Sequence, residues 1–164
     1  MLKISRRIAY ALIALKHMNR KPGIELTSAK EICDTYKTPF DPTSRVLQIM
    51  AQNGVLKAAQ GAKGGYSICK DLATVTLAEL SDTITGPIQI AGCLGENPCD
   101  CDMTKTCPVI DLMADLNARI KEVFASSNVA EILKISSDIW IDERQPPLQR
   151  TRDFNETPRF DPMD

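Results

Sequence analysis

The sequence is poor in the groups that enzymes use, with a single histidine, His17, among 164 residues. No Ser–His–Asp set, phosphate-binding glycine loop or second cofactor motif accompanies it, which leaves general acid–base and nucleophilic catalysis few carriers. Long apolar runs are missing as well. None approaches the ~20 residues that cross a bilayer, so a membrane-embedded protein is not expected. The N-terminus, MLKISRRIAYALIALKHM, starts like a secretion signal, but Lys16 and His17 break its apolar stretch and no small-residue cleavage site follows. It reads as a helix that stays in the mature protein, which places the chain in the cytoplasm. Internal repeats are absent. None of the six cysteines forms a C-x-x-C pair, the unit that zinc ribbons and knuckles typically use.

What is present is a chain of 43% hydrophobic residues, enough for one globular core or for a small domain with an appendage. The formal net charge of −1 hides a division. Residues 1–70 carry 12 Lys/Arg against 4 Asp/Glu, while residues 71–164 carry 8 against 17. A basic half joined to an acidic half is a common layout for a nucleic-acid binder.

Helical periodicity marks the start of the basic half. Ile4, Ile8, Ala11, Leu12 and Leu15 recur at helical spacing until Pro22-Gly23. A second helix is predicted from about Ser28 to Tyr36, with Ser28 as cap and Glu31 completing a capping box. After TPFDP, Asp41 is the expected N-cap and Pro42 the first residue of a third helix, which Gly54 stops. Val46, Leu47 and Met50 face inward on it, with Thr43, Ser44, Arg45, Gln48 and Gln52 mainly opposite. Two extended runs, Val55–Ala59 and Tyr66–Cys69, flank QGAKGG and predict a hairpin. Thr76 and Glu79 form a second capping box, opening a short helix that ends near Gly86. Val109, Leu112, Met113, Leu116, Ile120, Val123 and Phe124 then mark a long amphipathic helix suited to a partner. A brief helix capped by Asn128 closes the patterned region. From about Ser136 periodicity is lost, and a loosely docked or disordered tail is expected, its one apolar knot being Ile139-Trp140-Ile141.

Helix, helix, turn, helix and a glycine-rich hairpin make a winged helix-turn-helix. The fold class is mainly α, with a two-stranded wing and a long dimerisation helix. Residues 1–86 are expected to form the DNA-binding unit, 87–108 a cysteine loop, 109–135 the dimerisation helices and 136–164 the tail. The chemistry suits duplex DNA. Arg45, Gln48 and Gln52 can enter the major groove and read base edges, and Ser28, Thr43, Ser44 and Gln60 are further DNA-binding candidates. Lys63 at the hairpin tip can reach a phosphate or the minor groove, and Lys3, Arg6 and Arg7 at the chain start can meet phosphates.

Four cysteines crowd CLGENPCDCDMTKTCPV, with five, one and five residues between neighbours. Gaps of this length with Gly and Pro suit a loop wrapping an object larger than one metal ion, such as an iron–sulfur cluster held by thiolates. Structural zinc is the alternative, and a disulfide formed on oxidation is a further one. Cys33 and Cys69 are expected to be small buried hydrophobes.

Taken in order, RRIAYALIAL, IMAQNGVLKAAQGAKGGYSICKD, TLAELSDTITGPI and the cysteines after them resemble the Rrf-type family of bacterial transcription regulators, which includes the IscR-, NsrR- and RirA-type proteins. The similarity covers about residues 1–135 and rests on the wing motif Gly61, Gly64, Gly65, Tyr66, the cysteine loop and the long helix. The resemblance implies a homodimer on a two-fold DNA operator, paired through Leu112, Met113, Leu116, Ile120, Val123 and Phe124. It also implies a cluster on three cysteines, sensing iron, oxygen or redox state, or nitric oxide. Cys93, Cys101 and Cys107 match the RirA-type spacing; Cys93, Cys99 and Cys107 fit as well, and Cys99 is the alternate or fourth ligand. Where IscR-type members place a histidine this chain has Ile110, and where NsrR-type members supply a carboxylate it has Ile8-Ala9. Asp100, Asp102 or an exogenous ligand then compete with Cys99 for the fourth place, and 4Fe–4S is favoured over 2Fe–2S. Gln60 replaces the family's usual wing arginine and TPFDPTSR departs from its usual recognition-helix start, so the operator sequence stays open.

Overall fold

The computed structural model describes residues 4–21, 25–61, 63–94 and 106–133. The expectations for Lys3, Pro22-Gly23, Cys99, Asp100, Cys101, Asp102 and residues 136–164 fall outside them.

Helix α1, Arg6–Asn19, opens where the Ser5 hydroxyl accepts the Arg7 N–H at 3.3 Å. Ile8, Ala11, Ala14, Leu15 and Met18 form its buried stripe at steps of three and four. Helix α2, Ala29–Tyr36, is capped by Ser28, whose Oγ accepts the Glu31 N–H at 3.1 Å. It ends at Lys37 in the left-handed region, φ 55°. Helix α3, Phe40–Gln52, buries Val46, Leu47 and Met50 completely, as the sequence predicts. Each such side chain contributes about 2 kcal/mol of transfer free energy.

Two details of α3 correct the sequence reading. The helix begins at Phe40 with Pro39 as its cap, so Asp41-Pro42 lies within the first turn and not at its edge. Proline is tolerated there because the first turn's N–H groups have no intrahelical partner to lose. Thr43, expected on the solvent side, is only 1% exposed, and its hydroxyl donates to Thr38 Oγ1 at 3.0 Å.

The wing follows. Strand β1, Leu56–Ala59, pairs antiparallel with β2, Gly65–Ile68, in the register Leu56↔Ile68 to Ala59↔Gly65. Two of its glycines are required by close approach. A Cβ on Gly64 would meet the Ala59 carbonyl oxygen at 2.5 Å, and one on Gly65 the Thr27 carbonyl oxygen at 2.8 Å. Thr27 and Tyr66 exchange both backbone hydrogen bonds at 2.9 Å, which fixes the wing to the segment that leads into α2.

Helix α4, Leu77–Thr85, starts where Thr76 Oγ1 accepts the Glu79 N–H at 3.1 Å. Both predicted capping boxes are half made. The Glu79 carboxylate pairs with Lys70, and that of Glu31 with Lys21 and His17; a full ammonium outcompetes a backbone N–H for each. Helix α5, Ile110–Ser126, is the long helix. Residues 129–133 form a last helical segment, with Asn128 Oδ1 accepting the Glu131 N–H at 2.8 Å.

One core unites these elements. Ala11, Leu15, Ile32, Leu47, Met50, Leu56, Val75 and Leu80 belong to it. Val129 and Leu133 join it too, returning the end of the described chain to the first module, the unit that α1 to α4 and the wing form. The Val129 N–H donates to the Val75 carbonyl at 2.9 Å and holds that return in place.

Candidate nucleic-acid interface and cysteine loop

Helix α3 buries one face and leaves another open. Arg45, Gln48 and Gln52 are exposed along it and Ser44 is half-buried. The turn between α2 and α3 brings the α3 N-terminus to the surface. Phe40, its first residue, is 54% exposed there. The sequence reading missed Phe40 because it started the helix two residues later. An exposed aromatic at the tip of such a helix is suited to the methyl group of thymine.

Around this helix stand the other candidates. Gln60 and Lys63 are exposed in the hairpin turn, and Arg6 and Arg7 are exposed in the first turn of α1. None of Arg6, Arg7, Arg45 or Lys63 forms an ion pair among the described residues. Cations without carboxylate partners are available to phosphate oxygens. Ser28 is half-buried and its oxygen serves α2, yet its hydroxyl hydrogen remains a donor. Thr43 does not reach this surface. Asp41, exposed on the same side as Arg45, adds a negative charge to this face.

A polar knot keeps α1 and α2 in fixed relation behind this face. Glu31 Oε1 accepts from Lys21 Nζ at 2.6 Å and from His17 Nε2 at 2.9 Å. On the other side of the ring, His17 Nδ1 lies 3.2 Å from the Tyr36 hydroxyl, which donates to it when Nε2 carries the proton. Burial pushes the Glu31 carboxyl up, but the hydrogen bonds and charges of Lys21 and His17 outweigh it and hold the group below its ordinary value of 4.5. The hydrogen bond to Glu31 raises Lys21 above its ordinary 10.5 in spite of partial desolvation. His17 is therefore a bridging residue between helices.

Of the cysteine loop, its two ends are described. Cys93 sits in a 3-10 turn, Gly92–Leu94, and Cys107 lies just ahead of α5, where the Ile110 N–H donates to the Cys107 carbonyl at 3.4 Å. Both are free thiols and half-buried. Accessible thiols that are not in disulfides have the donor chemistry that iron or zinc requires. Among the described residues no three His, Cys, Asp or Glu side chains group as metal ligands. Cys33 is half-buried and Cys69 exposed, against the expectation that both are buried. Cys69 follows the last residue of β2, where the strand leaves the core, and its thiol donates to the Gly54 carbonyl at 3.0 Å.

Helix α5 presents two different sides. Asn117 is buried, and its Oδ1 accepts the Ile90 N–H at 3.1 Å. Ile120 and Phe124 turn toward Ile8 and the segment after α4, and Met113 is also half-buried. Leu112, Leu116 and Val123 are 66%, 45% and 61% exposed. With Val109 they repeat at the three- and four-residue steps of a helix-pairing seam.

Comparison with known proteins agrees with this geometry. The Rrf2 family model, described as an iron-dependent transcriptional regulator, matches residues 4–135. Over 128 residues the chain is 30% identical to an rrf2-like HTH-type transcriptional regulator of Rhodobacter capsulatus, covering 74% of this chain and 79% of that one. CymR, the global cysteine regulator of B. subtilis, superposes with a TM-score of 0.62 at 24% identity, over 82% of this chain and 98% of that one. IscR of T. potens superposes with a TM-score of 0.60 at 20% identity, over 85% and 92%. The two structures show a shared winged-helix fold, and the related proteins are regulators, not enzymes. The chain belongs to the Rrf2 family of DNA-binding transcription regulators.

Proposed function

We propose that this regulator works as a homodimer on a two-fold DNA operator, with an iron–sulfur cluster in the cysteine loop setting its affinity. The reading is carried by one juxtaposition: free, half-buried Cys93 and Cys107 bracket a loop that runs straight into α5, and α5 has an uncovered apolar seam. Pairing through Leu112, Leu116 and Val123, with Met113, Ile120 and Phe124 behind them, sets two α3 helices against half-sites one helical turn apart. Arg45 and Gln48 then read bases, Phe40 supplies an apolar contact, and Arg6, Arg7, Ser28, Ser44, Gln60 and Lys63 serve phosphates or the groove edge.

Cys93, Cys101 and Cys107 are the favoured ligands, with Cys99 as alternate or fourth. When bound, a cluster supplies a centre open to oxygen, nitric oxide and iron loss. The chain's own part is mechanical. Cys107 is joined to the first turn of α5 through its carbonyl, so a change in how its sulfur is held is passed to the pairing helix. A 4Fe–4S centre is favoured over 2Fe–2S because Ile110 stands where a histidine ligand would be needed. A zinc or thiol–disulfide switch on the same cysteines is the competing reading.

Anaerobic purification followed by native mass spectrometry and absorbance separates these outcomes. A 4Fe–4S mass, lost in Cys93→Ala and Cys107→Ala, is expected; bound zinc or a bare disulfide overturns the cluster. Operator affinity of loaded and stripped protein is then compared at one fixed salt concentration, and equal affinities overturn the coupling.

A further inference from the structure

The body of the protein carries an apolar groove that neither α3 nor α5 lines. It encloses about 500 Å³ between Leu12 and Ile13 of α1, Tyr36 at the end of α2, and Ile132 and Leu133. Lys16 and Arg20 stand along one side of it. They and Leu133 are shared with an adjoining, more polar hollow of about 350 Å³, to which Lys70 contributes. The site is thus an apolar trough with a cationic margin.

Leu133, which borders both hollows, is also the last described residue, so the sequence that follows it starts at the groove itself. They read KISSDIWIDER. Ile139-Trp140-Ile141 is flanked by Asp138 on one side and Asp142-Glu143 on the other, an apolar triad between acids that mirrors the trough and its cations. Trp140 is seven residues beyond Leu133, a span of at most ~25 Å when extended. The tether therefore keeps the triad close to its own groove, at an effective concentration far above that of any free partner.

We propose that residues 138–143 dock in this groove of the same chain, with the Trp140 indole in the trough and the flanking carboxylates toward Lys16 and Arg20. The groove joins α1, the end of α2 and residues 129–133, and Tyr36 within it also holds the His17 ring. The docked segment straps together the supports behind α3. An indole is the side chain suited to such a place, since it buries a large apolar surface at low cost in rotamer freedom.

Trp140 is the only tryptophan of the chain, so fluorescence reports on this one site. In the full chain its emission is expected to lie well to the blue of a free tryptophan amide, with acrylamide quenching several-fold weaker, and neither value is expected to change across a dilution series. Arg20→Glu and, separately, Ile13→Asp are expected to shift the emission toward the free value at matched iron content, with far-ultraviolet circular dichroism retained by at least the exposed Arg20→Glu. Trp140→Ala is expected to lower the melting temperature. An indole as quenchable as the free amide, or one indifferent to both groove variants, overturns the proposal. So does burial that fades on dilution, which would assign the groove to the tail of a second copy.

Discussion

Helices α1, α2 and α3 of the first module and the long helix α5 are similarly rich in apolar residues, 19 of 35 against 10 of 17, yet they use them differently. In the module Ala11, Leu15, Ile32, Val46, Leu47 and Met50 are all fully buried within one chain. Along α5 the one residue counted as buried is Asn117, while Leu112, Leu116 and Val123 lie open. The module completes its own core; the helix leaves an apolar stripe uncovered. Apolar side chains gathered on one stripe of a helix, unlike ones scattered singly, mark a surface for interaction. The largest expected effect follows from this contrast. Leu112→Glu with Leu116→Glu places carboxylates in a surface that pairing must desolvate, and is expected to weaken self-association by at least a thousandfold, about 4 kcal/mol. Sedimentation equilibrium measures it, and circular dichroism should hold because both side chains are exposed in the protomer. A dimer untouched by the double change would move the interface off this seam.

The same contrast predicts that α3 can lose its outer residues without loss of fold. Arg45→Ala is expected to cost about 1–3 kcal/mol of operator binding, expressed as relaxed preference at one base position, with little change in melting temperature. Lys63→Ala, on the wing, is expected to weaken specific and unrelated DNA alike and to lower the salt slope by about one. Titrations of both variants at several salt concentrations decide it. If Arg45→Ala and Lys63→Ala behave identically, Arg45 is a phosphate contact and base reading lies elsewhere on the helix.

The two regions were unequally legible in the sequence. Hydrophobic period, Ser28, Thr76 and Gly64-Gly65 announced the helices and the wing because caps and tight turns act over three or four residues. The start of α3 was misplaced for the same reason in reverse. Asp41-Pro42 is a good local start, but burial of Thr43 against Thr38 carries the helix back to Phe40 and brings an aromatic to its tip. Cys69 was expected inside because strand residues beside a core usually are, but pairing ends at Ile68. The bridging role of His17 joins residues nineteen positions apart with Tyr36, a relation that no local pattern encodes. The cysteine ligand set was legible only as a spacing and by resemblance, and its inner members, Cys99 and Cys101, lie outside the described residues.

That long-range knot offers a smaller test inside the module. Glu31 is lowered below 4.5 in the folded chain, so its contribution is complete above that pH and is lost as pH falls through the folded value. Lys21 is raised above 10.5, so its contribution is complete below that pH and is lost as pH rises through its folded value. Glu31→Gln is expected to cost about 1 kcal/mol near neutrality, a figure held down because the Glu31 side chain is 36% exposed and its pairs are partly screened. Urea midpoints of the two proteins should converge as the pH is taken below 4.5 and through the folded value, since the carboxyl of the parent protein is then being protonated toward the state the amide mimics. A constant difference across that range would mean that packing, not charge, accounts for the loss.

The smallest effect is expected where the completed module is least complete. Thr27 is fully buried, and both of its backbone groups are satisfied by Tyr66, but its Oγ1 has no hydrogen-bond partner among the described residues. A buried hydroxyl without a partner carries its desolvation penalty and gains nothing in return. The threonine's shape still suits the position, because a β-branched side chain fits an extended segment paired with a strand. Thr27→Val keeps that shape and both backbone bonds while removing the unpaired oxygen. It is expected to leave stability unchanged or to raise it by up to about 1 kcal/mol, read as an equal or higher urea midpoint with an unchanged slope. Thr27→Ser keeps the hydroxyl and loses the methyl, and is expected to destabilise by about 1 kcal/mol. If valine instead destabilises as much as serine does, the hydroxyl has a partner in solution, and this corner of the module is held by a polar contact and not by shape alone.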